Sequence, residues 1–153
     1  MTSRRFFLRG LIMLLPWVAP AALAAQSPVG QWKTIDDVSG QERSIVELYE
    51  VNGKLHGRVL QIFPAPGEPA DPVCDKCAPS DPRYNRRILG MEILSGLRKS
   101  SATLWEDGKI LDPKNGSVYS CYIKVLDNGA KIELRGYIGF SLIGRTQYWH
   151  RVK

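Results

Sequence analysis

The stretch SVYSCYIKVLDNGAKIELRGY, residues 117–137, contains two alternating runs split by a turn. Tyr119, Cys121, Ile123 and Val125 take every second position of the first run, with Ser120 and Lys124 between them. Ile132, Leu134 and Gly136 do the same in the second, against Lys131, Glu133 and Arg135. A β-strand points successive side chains to opposite faces, so a period of two means one dry face and one wet face. Asp127-Asn128-Gly129 supplies the residue types that a tight turn needs. The stretch reads as a β-hairpin with an inside and an outside.

The pattern extends in both directions. Residues 145–152 form a closing strand, and Asp112-Pro113-Lys114-Asn115-Gly116 makes the turn before residue 117. Residues 103–105 and 109–112 are separated by Glu106-Asp107-Gly108, as one interrupted strand or a short hairpin. Further upstream, residues 29–36, 43–51, 54–63 and 88–94 read as strands. Asn52-Gly53 joins two of them and suits a two-residue type I′ hairpin, because both positions tolerate positive φ. The expectation is an all-β fold, a small antiparallel up-and-down barrel of about eight strands, since closure removes both sheet edges. A two-sheet sandwich is the alternative.

The first residues, MTSRRFFLRGLIMLLPWVAPAALAAQ, combine Arg4, Arg5 and Arg9 with a mostly apolar run and the small residues Ala22-Leu23-Ala24. This reads as a cleaved signal peptide over residues 1–24, with residues 25–153 as a single barrel domain. Pro16 and Pro20 interrupt the apolar run, which argues against a stable membrane span. Residues 3–9 also resemble the twin-arginine export motif, and an ordinary Sec signal with adjacent arginines remains open. Either route implies the periplasm or the exterior of a bacterium. Loss of the three leader arginines lowers the formal charge from +6 to +3. The remaining cations are interspersed with acids, which argues against nucleic acid as a partner.

Residues 64–87 hold six of the ten prolines and the sequence Cys74-Asp75-Lys76-Cys77. So long a segment without a strand pattern is usually functional or strapped down. A redox pair would need a thiolate stabilised by a helix N-terminus or by cations, and no βαβ pattern surrounds the motif. A metal site would need further ligands from Cys121, His56, His150, Asp71, Asp75 or Asp81, with no second C-x-x-C to supply them. A disulfide between Cys74 and Cys77 fits an oxidising compartment and is the favoured reading, leaving Cys121 as a buried free thiol.

Gly30-Gln31-Trp32 opens the first strand and Arg151 ends the last, which makes them neighbours in a closed barrel. Arg151 can then sit on the Trp32 ring, a cation–π contact of about 0.5–2 kcal/mol. This pairing resembles the pattern of the calycin superfamily, which includes the lipocalins. A longer series is more specific: residues 30–36, Cys74-Asp75-Lys76-Cys77, Ile110-Leu111-Asp112-Pro113, residues 135–139, and Gly144-Arg145-Thr146-Gln147 through Arg151. In that order they resemble the bacterial domain-of-unknown-function family 2147 of small exported proteins. The resemblance implies a lipocalin-like barrel and supplies no reaction, so no catalytic residues follow from it.

Function is less legible. His56 and His150 lie mid-strand with no triad around them, and no cofactor is implied. Arg145, Gln147, Trp149 and Arg151 share one face of the last strand. With Trp32, Tyr119 and Tyr137 they suggest an aromatic interior with some polar groups, in which a buried arginine would need a carboxylate or an anionic ligand. The candidate ligand-binding set is Trp32, Tyr119, Tyr137, Arg145, Gln147 and Trp149, with Trp32 and Arg151 as barrel closure. The expectation is a non-enzymatic periplasmic barrel that binds a small apolar or amphipathic molecule. A protein-interaction module of the cell envelope, of unknown partner, is the first alternative. A redox or metal-dependent enzyme using Cys74 and Cys77 is the second.

Overall fold

The computed structural model describes residues 27–153, so the expected signal peptide lies outside the described residues. The strands are β1 (Gly30–Ile35), β2 (Glu42–Val51), β3 (Lys54–Ile62), β4 (Glu92–Lys99), β5 (Leu104–Asp112), β6 (Ser117–Leu126), β7 (Lys131–Tyr137) and β8 (Gly144–Arg151). Each pairs antiparallel with the next, and β1 pairs with β8. The sheet is a closed barrel, not a sandwich. Closure leaves no row of unpaired backbone groups at an edge.

The turns form where the sequence permits left-handed backbone. Asn52 and Gly53 have φ of 51° and 73°, the pair of positive values that a type I′ hairpin requires. Cys121, Ile123 and Val125 of β6 and Ile132 and Leu134 of β7 are buried, as the alternation demands.

Two strands differ from the sequence reading. Residues 88–91 belong to the preceding loop: Ile88 N–H donates to Pro72 O, and Met91 N–H turns back to Ile88 O. The fourth strand therefore spans Glu92–Lys99 and continues through Gly96, whose φ of 76° marks a bulge and not a stop. The fifth is one strand with a bulge: Trp105 pairs with Ile123 but Gly108 pairs with Cys121, and Asp107 has φ of 61°. Both bulges let a strand skip a position and keep its apolar side chains inward.

One end of the barrel is solidly packed. Trp32, Leu48, Leu55, Leu97 and Ile123 are fully buried there. Trp32 Nε1 donates to Pro28 O at 2.7 Å. The Arg151 guanidinium lies 4.2 Å from the Trp32 ring centroid and donates to the carbonyls of Gly129, Val29 and Ser27. The partners of this half-buried arginine are thus an aromatic face and three backbone oxygens, with no carboxylate among the described residues. Burial lowers its pKa from the ordinary guanidinium value.

Cys121 is buried among these strands, and desolvation pushes its thiol up to about 12. A thiolate is the reactive form, so Cys121 should be inert while the barrel is folded. Native protein at about pH 8 is expected to take up no iodoacetamide. Unfolded, unreduced protein should take up one label, and reduced unfolded protein should take up all three allowed by its cysteines. A labelled native protein, counted by mass spectrometry, would show that the packed end opens.

Candidate functional site

The other end of the barrel is built differently. It carries the connections from β1 to β2, β3 to β4, β5 to β6 and β7 to β8. The long β3–β4 connection folds on itself: Val73 bridges Arg87, Cys74 N–H donates to Arg86 O, and Asn85 N–H donates to Cys74 O. Cys74 and Cys77 form a disulfide with Cα atoms 5.4 Å apart, and both are buried. So small a ring constrains the unfolded chain by about 2 kcal/mol at most in the loop-closure model. Its burial makes it part of the core and more than a surface staple. The disulfide turn rests on the β5–β6 turn at Gly116, where φ is 74° and any side chain would overlap the backbone of Lys76 and Cys77. Gly116 is required both for its conformation and for that contact.

Between this strapped loop and the inner strands lies a cavity of about 820 Å³. Its walls are chiefly apolar: Val59 and Ile62 from β3, Ile93 from β4, Ile110 and Leu111 from β5, Leu134 from β7, and Ile88 from the loop. Tyr119 and Trp149 add aromatic surface, and Gly136 leaves a gap in the wall. Polar groups inside are mostly engaged with one another. Thr34 and Ser44 hydroxyls are 2.8 Å apart, and Trp149 Nε1 donates to Gln147 Oε1 at 3.3 Å. Asn115 Nδ2 donates to the Tyr119 hydroxyl at 3.0 Å near the opening.

Charges lie at the rim and most are paired, while the Asp112 carboxylate accepts the Lys114 N–H. Arg43 meets Glu68 at 2.6 Å, Lys114 meets Asp36 at 3.4 Å, and Arg145 forms a two-pronged ion pair with Asp37. Asp36 is held well below the usual carboxylate range, chiefly by the N–H groups of Ser39 and Val38. Asp37 is lowered by the Arg145 guanidinium, and Glu68 by the Ala65 N–H and then Arg43. Asp81, deeper in the loop, is pushed down to about 2, first by the Arg83 side chain and then by its N–H. Arg83 also donates to Glu92 O and so ties the loop to β4.

A carboxyl whose folded pKa is depressed contributes stability above its unfolded value, and loses it as pH falls through the folded one. The rim and loop should therefore be insensitive to pH above about 5 and loosen as pH falls from about 4 toward 2. Solvent screening keeps each contribution small. Denaturation midpoints at several pH values check this. Asp81→Asn is expected to lower the midpoint at neutral pH and to flatten part of the acid limb.

The structure distributes the sequence candidates unevenly. Tyr119, Tyr137, Arg145, Gln147 and Trp149 border the cavity. Trp32 does not: it lies at the packed end, against Arg151. Arg145 is at the rim with Asp37 and not in the interior. His56 faces outward beside Tyr49 and Glu92, and His150 is exposed. Among the described residues, no three His, Cys, Asp or Glu side chains gather as a metal site. A cleft of about 630 Å³ outside the barrel, bordered by charged Asp81, Arg83 and Glu92 and by apolar Leu89 and Met91, lies open to solvent.

Some lining residues carry no signal in the sequence. Ile88 reaches the cavity only because the loop folds back, and Ile138 and Ile143 flank its mouth from a β7–β8 connection. β7 stops at Tyr137, where the alternating run of the sequence also ends.

A solved structure titled "Protein HP1028 from the human pathogen Helicobacter pylori belongs to the lipocalin family" superposes with a TM-score of 0.70 at 23% identity. The match covers 83% of this chain and 84% of that one, and at this identity it speaks for the fold alone. No curated protein matches the sequence. The family model described as "Uncharacterized protein conserved in bacteria (DUF2147)" matches residues 30–151, and the chain belongs to that family.

Proposed function

We propose that this protein is an exported, periplasmic, lipocalin-like barrel that holds one small apolar or amphipathic molecule in its open end. The observation that carries the reading is the cavity of about 820 Å³, walled by aliphatic and aromatic side chains and ringed by charges. That size and lining suit a small-molecule site, in which apolar area supplies affinity and a few polar groups set orientation. Each named rim cation already has a carboxylate partner, so the rim suits a head group that hydrogen-bonds more than one of strong net charge. An unfilled interior favours binding over the alternative of a module that acts through its surface alone.

The test is native mass spectrometry on protein recovered from a bacterial periplasm, followed by denaturing extraction. A small organic adduct that leaves on denaturation supports the reading. A protein-only mass, together with no uptake of added long-chain fatty acids, alcohols or monoacylglycerols, would sink it.

A further inference from the structure

The β7–β8 connection, residues 138–143, presents large apolar side chains to solvent. Ile138, Phe140, Leu142 and Ile143 are 68%, 75%, 90% and 67% exposed. Val38, on the β1–β2 turn that Arg145 and Asp37 join to this region, is 89% exposed. No charge occurs from Ile138 to Gly144, while Arg135 and Arg145 flank the run. Isolated exposed apolar residues need no explanation, but several on one protruding loop mark a contact surface.

We propose that this loop is a membrane-docking tip that enters the interfacial layer of a phospholipid bilayer and brings the cavity mouth against it. The charge pattern fits a lipid surface: the run itself is uncharged, and the Arg135 guanidinium at its base bonds carbonyls and the Thr146 hydroxyl, with no carboxylate partner among the described residues. The carbonyls of Ile138, Phe140 and Ile143 accept N–H groups from within the loop. Those of Ser141 and Leu142 accept from the Arg135 guanidinium at 2.5 and 3.2 Å. Entry into a bilayer requires such carbonyls to be satisfied within the protein, and these five are. Arg135 thereby closes the tip's backbone and holds a positive charge at its base, where it can face lipid phosphates.

The position supplies a purpose. Ile138 and Ile143 border the cavity, so the apolar surface runs from the inner wall to the tip. An apolar ligand could pass from bilayer to barrel along it without full exposure to water. This route rests on the binding reading above, but docking itself does not.

Sedimentation with vesicles of phosphatidylethanolamine and phosphatidylglycerol tests docking, and titration with the apolar fluorophore N-phenyl-1-naphthylamine tests the cavity. The paired substitution Phe140→Asp with Leu142→Asp touches exposed side chains outside the cavity lining. It is expected to reduce vesicle binding by about tenfold or more while fluorophore binding stays unchanged. Wild-type protein that takes the fluorophore but ignores vesicles would overturn docking and leave the cavity reading intact. Vesicle binding without fluorophore binding would support docking and remove the route. Vesicle binding equal in wild type and variant would overturn the tip, as would a dimer in size-exclusion chromatography that the variant converts to monomer.

Discussion

Trp32→Ala is expected to destabilise the barrel by about 3–5 kcal/mol, as large-to-small changes at fully buried aromatic positions do. Trp32 has no exposed surface, and its indole N–H is bonded to Pro28 O. It also carries the contact between the first and last strands, since Trp32 is the register partner of Arg151. For a domain of this size the melting temperature should fall by about 10 °C or more. Arg151→Met retains much of the length but removes the cation and its donors. It should cost about 2 kcal/mol, because the carbonyls it serves lose a charged partner. A double-mutant cycle should return a coupling of about 0.5–2 kcal/mol for the cation–π pair. Denaturant titration of the three variants checks the set. A cost below about 1 kcal/mol for Trp32→Ala would mean that the packed end is not where the barrel is locked.

Gly136→Leu should instead spare stability and damage binding. A Cβ at Gly136 would meet Ile110 Cγ2 and Tyr119 Cβ at 3.6 Å, an ordinary contact distance. Beyond that atom a leucine projects into the cavity that Gly136 borders. A strand glycine replaced by leucine also loses less backbone entropy on folding, which offsets any crowding. Stability should stay within about 1 kcal/mol of wild type, while apolar ligands should bind at least about tenfold more weakly, a difference of about 1.4 kcal/mol. Calorimetric titration and thermal melts on the same samples separate the two effects.

The contrast between these two positions explains what the sequence could and could not disclose. Alternation in β6 and β7 says which side chains point inward, and it placed Cys121, Ile123, Ile132 and Leu134 correctly. It says nothing of depth along the barrel axis, which depends on strand tilt and stagger. Trp32 and Trp149 both face inward, yet one locks the packed end and the other borders the cavity. The bulges at Gly96 and Asp107 hid the extent of β4 and β5, because an added residue breaks the period locally. The Asp37–Arg145 pair joins residues 108 positions apart, and no local pattern announces such a contact. The loop of residues 64–87 was legible as strapped. That its disulfide turn rests on the β5–β6 turn follows only from the folded contact at Gly116.

The central claim, a barrel with a small-molecule cavity at its open end, is tested most directly by titrating N-phenyl-1-naphthylamine into wild-type protein and Gly136→Leu side by side. Saturable, blue-shifted fluorescence at one site is expected in the wild type. The variant should bind at least about tenfold more weakly at equal thermal stability. No saturable signal in the wild type, or the same isotherm in both proteins, would contradict the claim.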